Sequence, residues 1–142
     1  MTLKDSKVCQ IPPAAPEAAA AHLQLRLATE TDASDLHKDL VAGIPGLVLV
    51  DARRAEAYEG GHIPGAINLY HGDMTAQSTA MWSKDAVYVV YCWNVGCNAG
   101  LKGAYNLAKL GFKVKELMDG LRGWESDGFE LVVGKDVGTV SK

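Results

Sequence analysis

Cys92 and Cys97 stand five positions apart in the stretch YCWNVGCNAG, residues 91–100. A cysteine reacts as its thiolate, and a free thiol has a pKa of about 8.5, so a reactive cysteine needs surroundings that favour the anion. Between and just beyond these two lie Trp93, Asn94, Val95, Gly96 and Asn98. A loop of this kind can curl its backbone amides around a sulfur, and Gly96 eases the curl. Such a cradle lowers a thiolate pKa and also holds an oxyanion or a second, negatively charged sulfur. The stretch therefore points to thiol chemistry on an anionic substrate. The plainer reading is a small core cysteine after a buried strand; the second thiol and the polar, glycine-bearing loop weigh against it. The C-x4-C spacing differs from the C-x2-C of zinc and thioredoxin-like sites. His22, His37, His62 and His71 add no ligand spacing, so neither metal nor cofactor is expected.

A thiol works only where the fold holds it. The loop follows an apolar run, Ala86 to Tyr91, and precedes a segment that reads as a helix over 99–110, with Leu101, Ala104, Tyr105 and Ala108 on one face. Gly111 stops that helix. A second apolar run, Leu47 to Val50, ends at Asp51. Runs apolar on both faces belong to strands of parallel sheets covered on both sides. Short strands are also expected over 66–69 and 114–117, and short helices over 54–59 and 120–126. Asp32 or Ser34 caps a helix carrying Leu36, Leu40 and Val41. Residues 71–84 read as irregular or helical. Strands alternating with helices imply an α/β fold with a parallel sheet, whose sites form at the carboxyl ends of the strands. Asp51 and Cys92 both fall at such ends.

The 142 residues suit one domain. With 48% apolar and 22% charged residues the composition is that of a globular protein, and a net charge of -3 gives no reason to expect nucleic acid or an anionic membrane as partner. No apolar stretch reaches membrane-spanning length. The N-terminus mixes charges and prolines and lacks the order of a signal peptide, so a cytoplasmic location with reduced thiols is expected. Residues 1–15, with Pro12 and Pro13, read as a flexible leader; residues 16–133 as the domain, opening with a helix on which Ala20, Leu23 and Leu27 share a face; residues 134–142 as a loose tail.

Three motifs carry a family resemblance. VLVDARRAEAYEGGHIPGAINL (48–69) resembles the first signature of the rhodanese-like sulfurtransferase domain: a strand, an Asp-x-Arg, a short helix, then Gly-His-Ile-Pro-Gly-Ala. VYVVYCWNVGC (87–97) resembles the family's active-site strand and loop, and GFKVKELMDGLRGWESDGF (111–129) its closing strand, glycine turn and tryptophan-bearing helix. The resemblance covers about 32–131. It implies a rhodanese-like α/β fold: a central parallel sheet of about five strands with helices on both faces, here with an N-terminal helical extension. It implies that Cys92 takes sulfane sulfur from a small-molecule donor such as thiosulfate, as a persulfide, and yields it to a thiol acceptor or cyanide. Trp93, Asn94, Val95, Gly96, Cys97 and Asn98 then form the substrate-binding loop. Asp51 and Arg53 support it structurally, His62 either does the same, the favoured reading, or moves a proton, and Trp124 is core.

The loop departs from the family pattern. No basic residue lies between Cys92 and Lys102, where many active members carry an Arg or Lys that binds the anionic donor. The interval from Cys92 to Gly111 is about two residues longer than in a standard member. Phosphatases of this fold use Cys-x5-Arg, but here that count reaches Asn98, and a neutral amide cannot supply the bidentate charge a phosphoryl group favours. Two further functions stand beside sulfur transfer: a catalytically silent binding module, and an arsenate- or phosphate-handling enzyme. Cys97 has two readings as well: a resolving thiol that closes a disulfide with Cys92, or a small residue filling the end of the loop.

Overall fold

The structure is a computed structural model and describes residues 1–141. Five parallel strands form one sheet in the order β1-β5-β4-β2-β3. They are β1 (Glu30–Thr31), β2 (Leu47–Asp51), β3 (Ile67–Asn68), β4 (Val87–Tyr91) and β5 (Lys113–Leu117). The helices are α1 (Pro16–Thr29), α2 (Ala33–Ala42), α3 (Ala55–Gly60), α4 (Ala99–Lys109) and α5 (Gly120–Ser126). The α/β class, the five strands and the N-terminal helix all match expectation. The strand left unlocated in the sequence is β1, whose two residues pair with Glu116 and Leu117; two residues are too few to show a periodicity.

Strand β4 lies at the centre, and its side chains alternate between two cores. Tyr88 and Val90 join Val50, Ala104, Leu107 and Phe112 under α4. Val89 and Tyr91 join Leu36, Leu49, Leu117, Leu121 and Trp124 under α2 and α5. Both faces are covered, which explains the unbroken apolar runs of β2 and β4.

Helix α4 turns a different face to the sheet from the expected one. Gly100, Gly103, Ala104 and Leu107 are buried, whereas Leu101 and Tyr105 are 57% and 61% exposed. The reason is closeness. A Cβ on Gly103 would press on Val90 and Ala52, and one on Gly100 on the Cys92 amide. Glycines are invisible to an apolar pattern, yet here they mark the contact face. Two other boundaries hold: Asp32 caps α2 by accepting the Asp35 amide at 2.9 Å, and Gly111 has a φ of 94° just past α4. Residues 71–84 hold one 3-10 turn, His71–Asp73, and otherwise turns.

Residues 1–15 contain two 3-10 turns, Leu3–Asp5 and Val8–Gln10. The segment from 134 on, read as a tail, makes specific contacts. Gly134 donates to the Glu59 carbonyl at 2.7 Å, the Val137 carbonyl accepts from Gly65 at 2.6 Å, and Val140 packs on the core. His37 is half-buried and stacks on Phe129 at 3.9 Å between ring centres.

Candidate functional site

Strands β2 and β4 run in register, Asp51 opposite Tyr91, so the residues that follow them share one edge of the sheet. The Ala52 amide donates to the Tyr91 carbonyl at 3.0 Å and extends the ladder one step beyond the strand. Cys92 comes next, 4% exposed.

Two helices fix where it sits. Gly100 brings α4 against the backbone at Tyr91 and Cys92. From the other side, Leu121 and Arg122 at the start of α5 donate to the carbonyls of Cys92 and Trp93, each at 2.9 Å. These bonds place the root of the loop, and Trp93 to Asn98 hang from it.

Cys92 is joined to Cys97 by a disulfide with Cα atoms 6.4 Å apart, inside the usual range for such bonds. The two side chains therefore converge. In this state three of the loop amides are spoken for. Cys97 donates to the Asn94 carbonyl at 3.1 Å, Gly96 to Asn94 Oδ1 at 2.9 Å, and Val95 to Asp119 Oδ1 at 3.2 Å. The cradle expected from the sequence is thus turned away from Cys92 while the disulfide stands. Trp93 points elsewhere again: its ring lies 4.3 Å from the Arg53 guanidinium carbon.

A cleft of about 260 Å³ opens over the disulfide. Cys92, Asn94, Val95, Cys97 and Asn98 of the loop line it, together with Arg26, Glu30, Glu116 and Asp119 from other segments. Arg26 is the one cation among these residues and is already paired with Glu30 at 2.7 Å. That bond, ahead of the charge itself, holds the Glu30 carboxyl below its usual range. Burial, with a smaller push from Glu30, raises Glu116. The wall is acidic on balance, which the missing loop cation foretold only in part, because Glu30, Glu116 and Asp119 come from distant segments.

The expected supporting residues lie behind the loop. Asp51 and Arg53 form a buried ion pair at 2.7 Å, both within 3% of full burial. Arg53 also donates to the Gly61 carbonyl at 2.7 Å, while its Nη1 has no partner among the described residues. His62 is fully buried, stacked on Tyr58, with Nδ1 and Nε2 facing the carbonyls of Tyr58 and Asp136 at 2.9 and 2.8 Å. Both ring nitrogens are engaged by backbone, and the ring is not among the cleft-lining residues. Trp124 is fully buried and donates to the Glu130 carbonyl at 2.8 Å. Sequence reasoning missed Tyr91. Its hydroxyl accepts the Ile63 amide at 3.1 Å and ties the Gly61-His62-Ile63 turn to the central strand. Burial, with Asp51 nearby, raises this phenol well above its ordinary value, so it stays protonated.

Comparison with known proteins agrees with this geometry. A family model described as rhodanese-like domain matches residues 32–127. The chain is 38% identical to the BH2092 protein from Bacillus halodurans, whose crystal structure superposes with a TM-score of 0.81 over 85% of this chain and 88% of that one. It is 35% identical over 92 residues to the HTH-type transcriptional regulator Rv0324 of Mycobacterium tuberculosis, covering 65% of this chain and 40% of the regulator. It is 38% identical over 72 residues to a tRNA sulfurtransferase of Pyrobaculum aerophilum, covering 51% of this chain and 14% of that protein. The chain thus spans less than half the length of these two curated relatives. No helix among the described residues is long and apolar enough to cross a membrane. With the family model spanning well over half of the sequence in addition to the shared fold, the chain belongs to the rhodanese-like domain family.

Proposed function

We propose that the protein is a sulfurtransferase or persulfide carrier that works through Cys92. The reduced Cys92 thiolate attacks the outer sulfur of a donor, takes it as a persulfide and releases the donor's remainder, sulfite in the case of thiosulfate. A thiol or cyanide then removes the sulfur. The observation that carries this reading is the seat of Cys92: directly after the central strand, its carbonyl held by α5, and lining a cleft. In parallel sheets that edge is where ligands are handled. Relatives named tRNA sulfurtransferase and putative sulfur carrier protein YrkF (Bacillus subtilis, 29% identical over 91 residues) support the same chemistry.

The cleft also bears on the donor. Three carboxylates against one paired arginine disfavour a dianion such as thiosulfate. Turnover of thiosulfate is therefore modest, and uncharged or singly charged persulfides are the better donors. Phosphate and arsenate, oxyanions without a loop arginine to meet them, fit least.

The test is mass spectrometry of reduced, desalted Cys97→Ser, which keeps Cys92 and lacks the second loop thiol, after anaerobic incubation with thiosulfate. One added sulfur on the peptide bearing Cys92, absent in Cys92→Ser, is expected. An unmodified Cys92 peptide with thiosulfate, and also with a small alkyl persulfide, would overturn the reading.

A further inference from the structure

We propose that Cys97 resolves the Cys92 persulfide and makes the protein a sulfide-releasing reductase of sulfane sulfur. This inference rests on the persulfide reading above and adds the fate of the transferred atom.

Two observations carry it. First, Cys97 is bonded to Cys92 with the fold intact around them: α4, α5 and the Cys92 carbonyl keep their contacts in the disulfide state. The loop therefore brings Cys97 Sγ to Cys92 Sγ without unfolding. Second, the two cysteines differ in exposure. Cys92 is buried, whereas Cys97 is partly exposed at the cleft. An external reductant meets Cys97 first.

The reaction balances as follows. The Cys97 thiolate attacks the inner sulfur of the protonated persulfide, Cys92–S–SH. A Cys92–Cys97 bond forms, the bond to the outer sulfur breaks, and the outer sulfur departs as hydrosulfide with the electron pair and its proton. The sulfane sulfur is reduced by two electrons, and the two cysteine sulfurs supply one each. A dithiol reductant then attacks the exposed Cys97 sulfur, and Cys92 leaves as thiolate. The second thiol of the reductant closes on its first and frees Cys97. Each cycle converts one sulfane sulfur and one dithiol to one hydrosulfide and one cyclic disulfide.

The loop's own hydrogen bonds fit this order of events. With the disulfide closed, the amides of Val95, Gly96 and Cys97 are bound to Asp119 and Asn94. No loop amide of that trio is left for an incoming anion, so the resolved state does not take a second donor before it is reduced. The substrate class is a sulfane-sulfur compound, and the partner is a small dithiol or a protein dithiol.

The test is a single turnover. Reduced wild type, Cys97→Ser and Cys97→Ala are stripped of reductant and given one equivalent of thiosulfate or alkyl persulfide anaerobically. Sulfide, the donor's leaving fragment and peptide masses are followed. Wild type is expected to release about one sulfide per leaving fragment and to gain the Cys92–Cys97 disulfide. Both variants are expected to hold the added sulfur on Cys92 and to release sulfide at least tenfold more slowly until dithiothreitol is added. Wild type that holds its persulfide as long as the variants do would overturn the resolving role and leave the persulfide reading standing. Absence of both leaving fragment and added sulfur in all three proteins would overturn both. Using two variants guards against one that fails to fold.

Discussion

The Leu121 amide donates to the Cys92 carbonyl at 2.9 Å, and the residue before it, Gly120, lies so close that any Cβ would overlap that oxygen. The loop bearing both cysteines is therefore anchored from α5, through backbone rather than side chains. Asp119 and Gly120 both take left-handed conformations to bring the start of α5 to this point.

Gly120→Ala should cost about 3 kcal/mol, adding left-handed strain of about 1–2 kcal/mol to displacement of the Cys92 carbonyl. Gly128 gives the contrast: its φ is 85° but nothing lies within 4 Å of a Cβ there. Gly128→Ala should cost only the strain, about 1 kcal/mol. Thermal unfolding of the two variants separates the terms, since each kcal/mol lowers the midpoint by about 4 °C at this size. Equal losses in the two proteins would mean that α5 can shift away from Cys92.

The Asp51–Arg53 pair should behave as a buried pair whose halves depend on each other. Removing one charge strands its partner and costs about 3–5 kcal/mol. Asp51→Leu and Arg53→Met are each expected to destabilise the protein strongly. The double variant should lose less than the sum of the two. Arg53→Met should also alter tryptophan fluorescence, because Trp93 loses the guanidinium it lies against. Chemical denaturation of the four proteins gives the coupling, and additive losses would sink the idea.

Much of this architecture is legible in the sequence because its causes are local. The runs Leu47–Val50 and Ala86–Tyr91 declare buried strands, Asp32 marks a helix start, and Gly111 ends a helix. The three motifs in order carry the family. What the sequence hides is tertiary. The sheet-facing side of α4 is set by Gly100 and Gly103, which carry no apolar signal. Ala20, Leu23 and Leu27 share a helix face, yet no residue of α1 is buried. The two cysteines are visible, but whether their side chains converge depends on the path of the loop. The acidic cleft wall is drawn from Glu30, Glu116 and Asp119, remote from Cys92 in sequence.

Glu116 should make stability fall on the alkaline side of its titration. Burial raises its folded value above the ordinary 4.5. A raised acid contributes stability fully below the unfolded value and loses it as pH climbs through the folded one. Glu116→Gln, which keeps the shape and cannot ionise, should therefore unfold at a higher temperature than wild type at pH 7. The two should converge near pH 4. Comparing variant with wild type at each pH isolates this group from Glu30, whose lowered value acts in the opposite sense. A variant less stable than wild type at pH 7 would show that the Glu116 carboxylate is favourably held.

Charge at the cleft mouth should set the preference among donors, and Asp119 offers the cleanest test. Its Oδ1 accepts the Val95 amide at 3.2 Å, and its φ is 58°. Asparagine tolerates the left-handed region and keeps an oxygen for that bond. Asp119→Asn therefore removes a negative charge with little change in shape. A charge several ångströms from a bound dianion is worth about 1 kcal/mol or somewhat more at an effective dielectric between those of water and protein surface. The apparent KM for thiosulfate should fall about three- to tenfold, with little change for an uncharged persulfide donor. Asn98→Arg adds a cation from the loop side and should act in the same direction. Because the effect is electrostatic, both gains should shrink in 0.5 M salt, where the screening length is only about 4 Å. A KM for thiosulfate unchanged in folded Asp119→Asn at low salt would mean that the donor does not approach through this cleft.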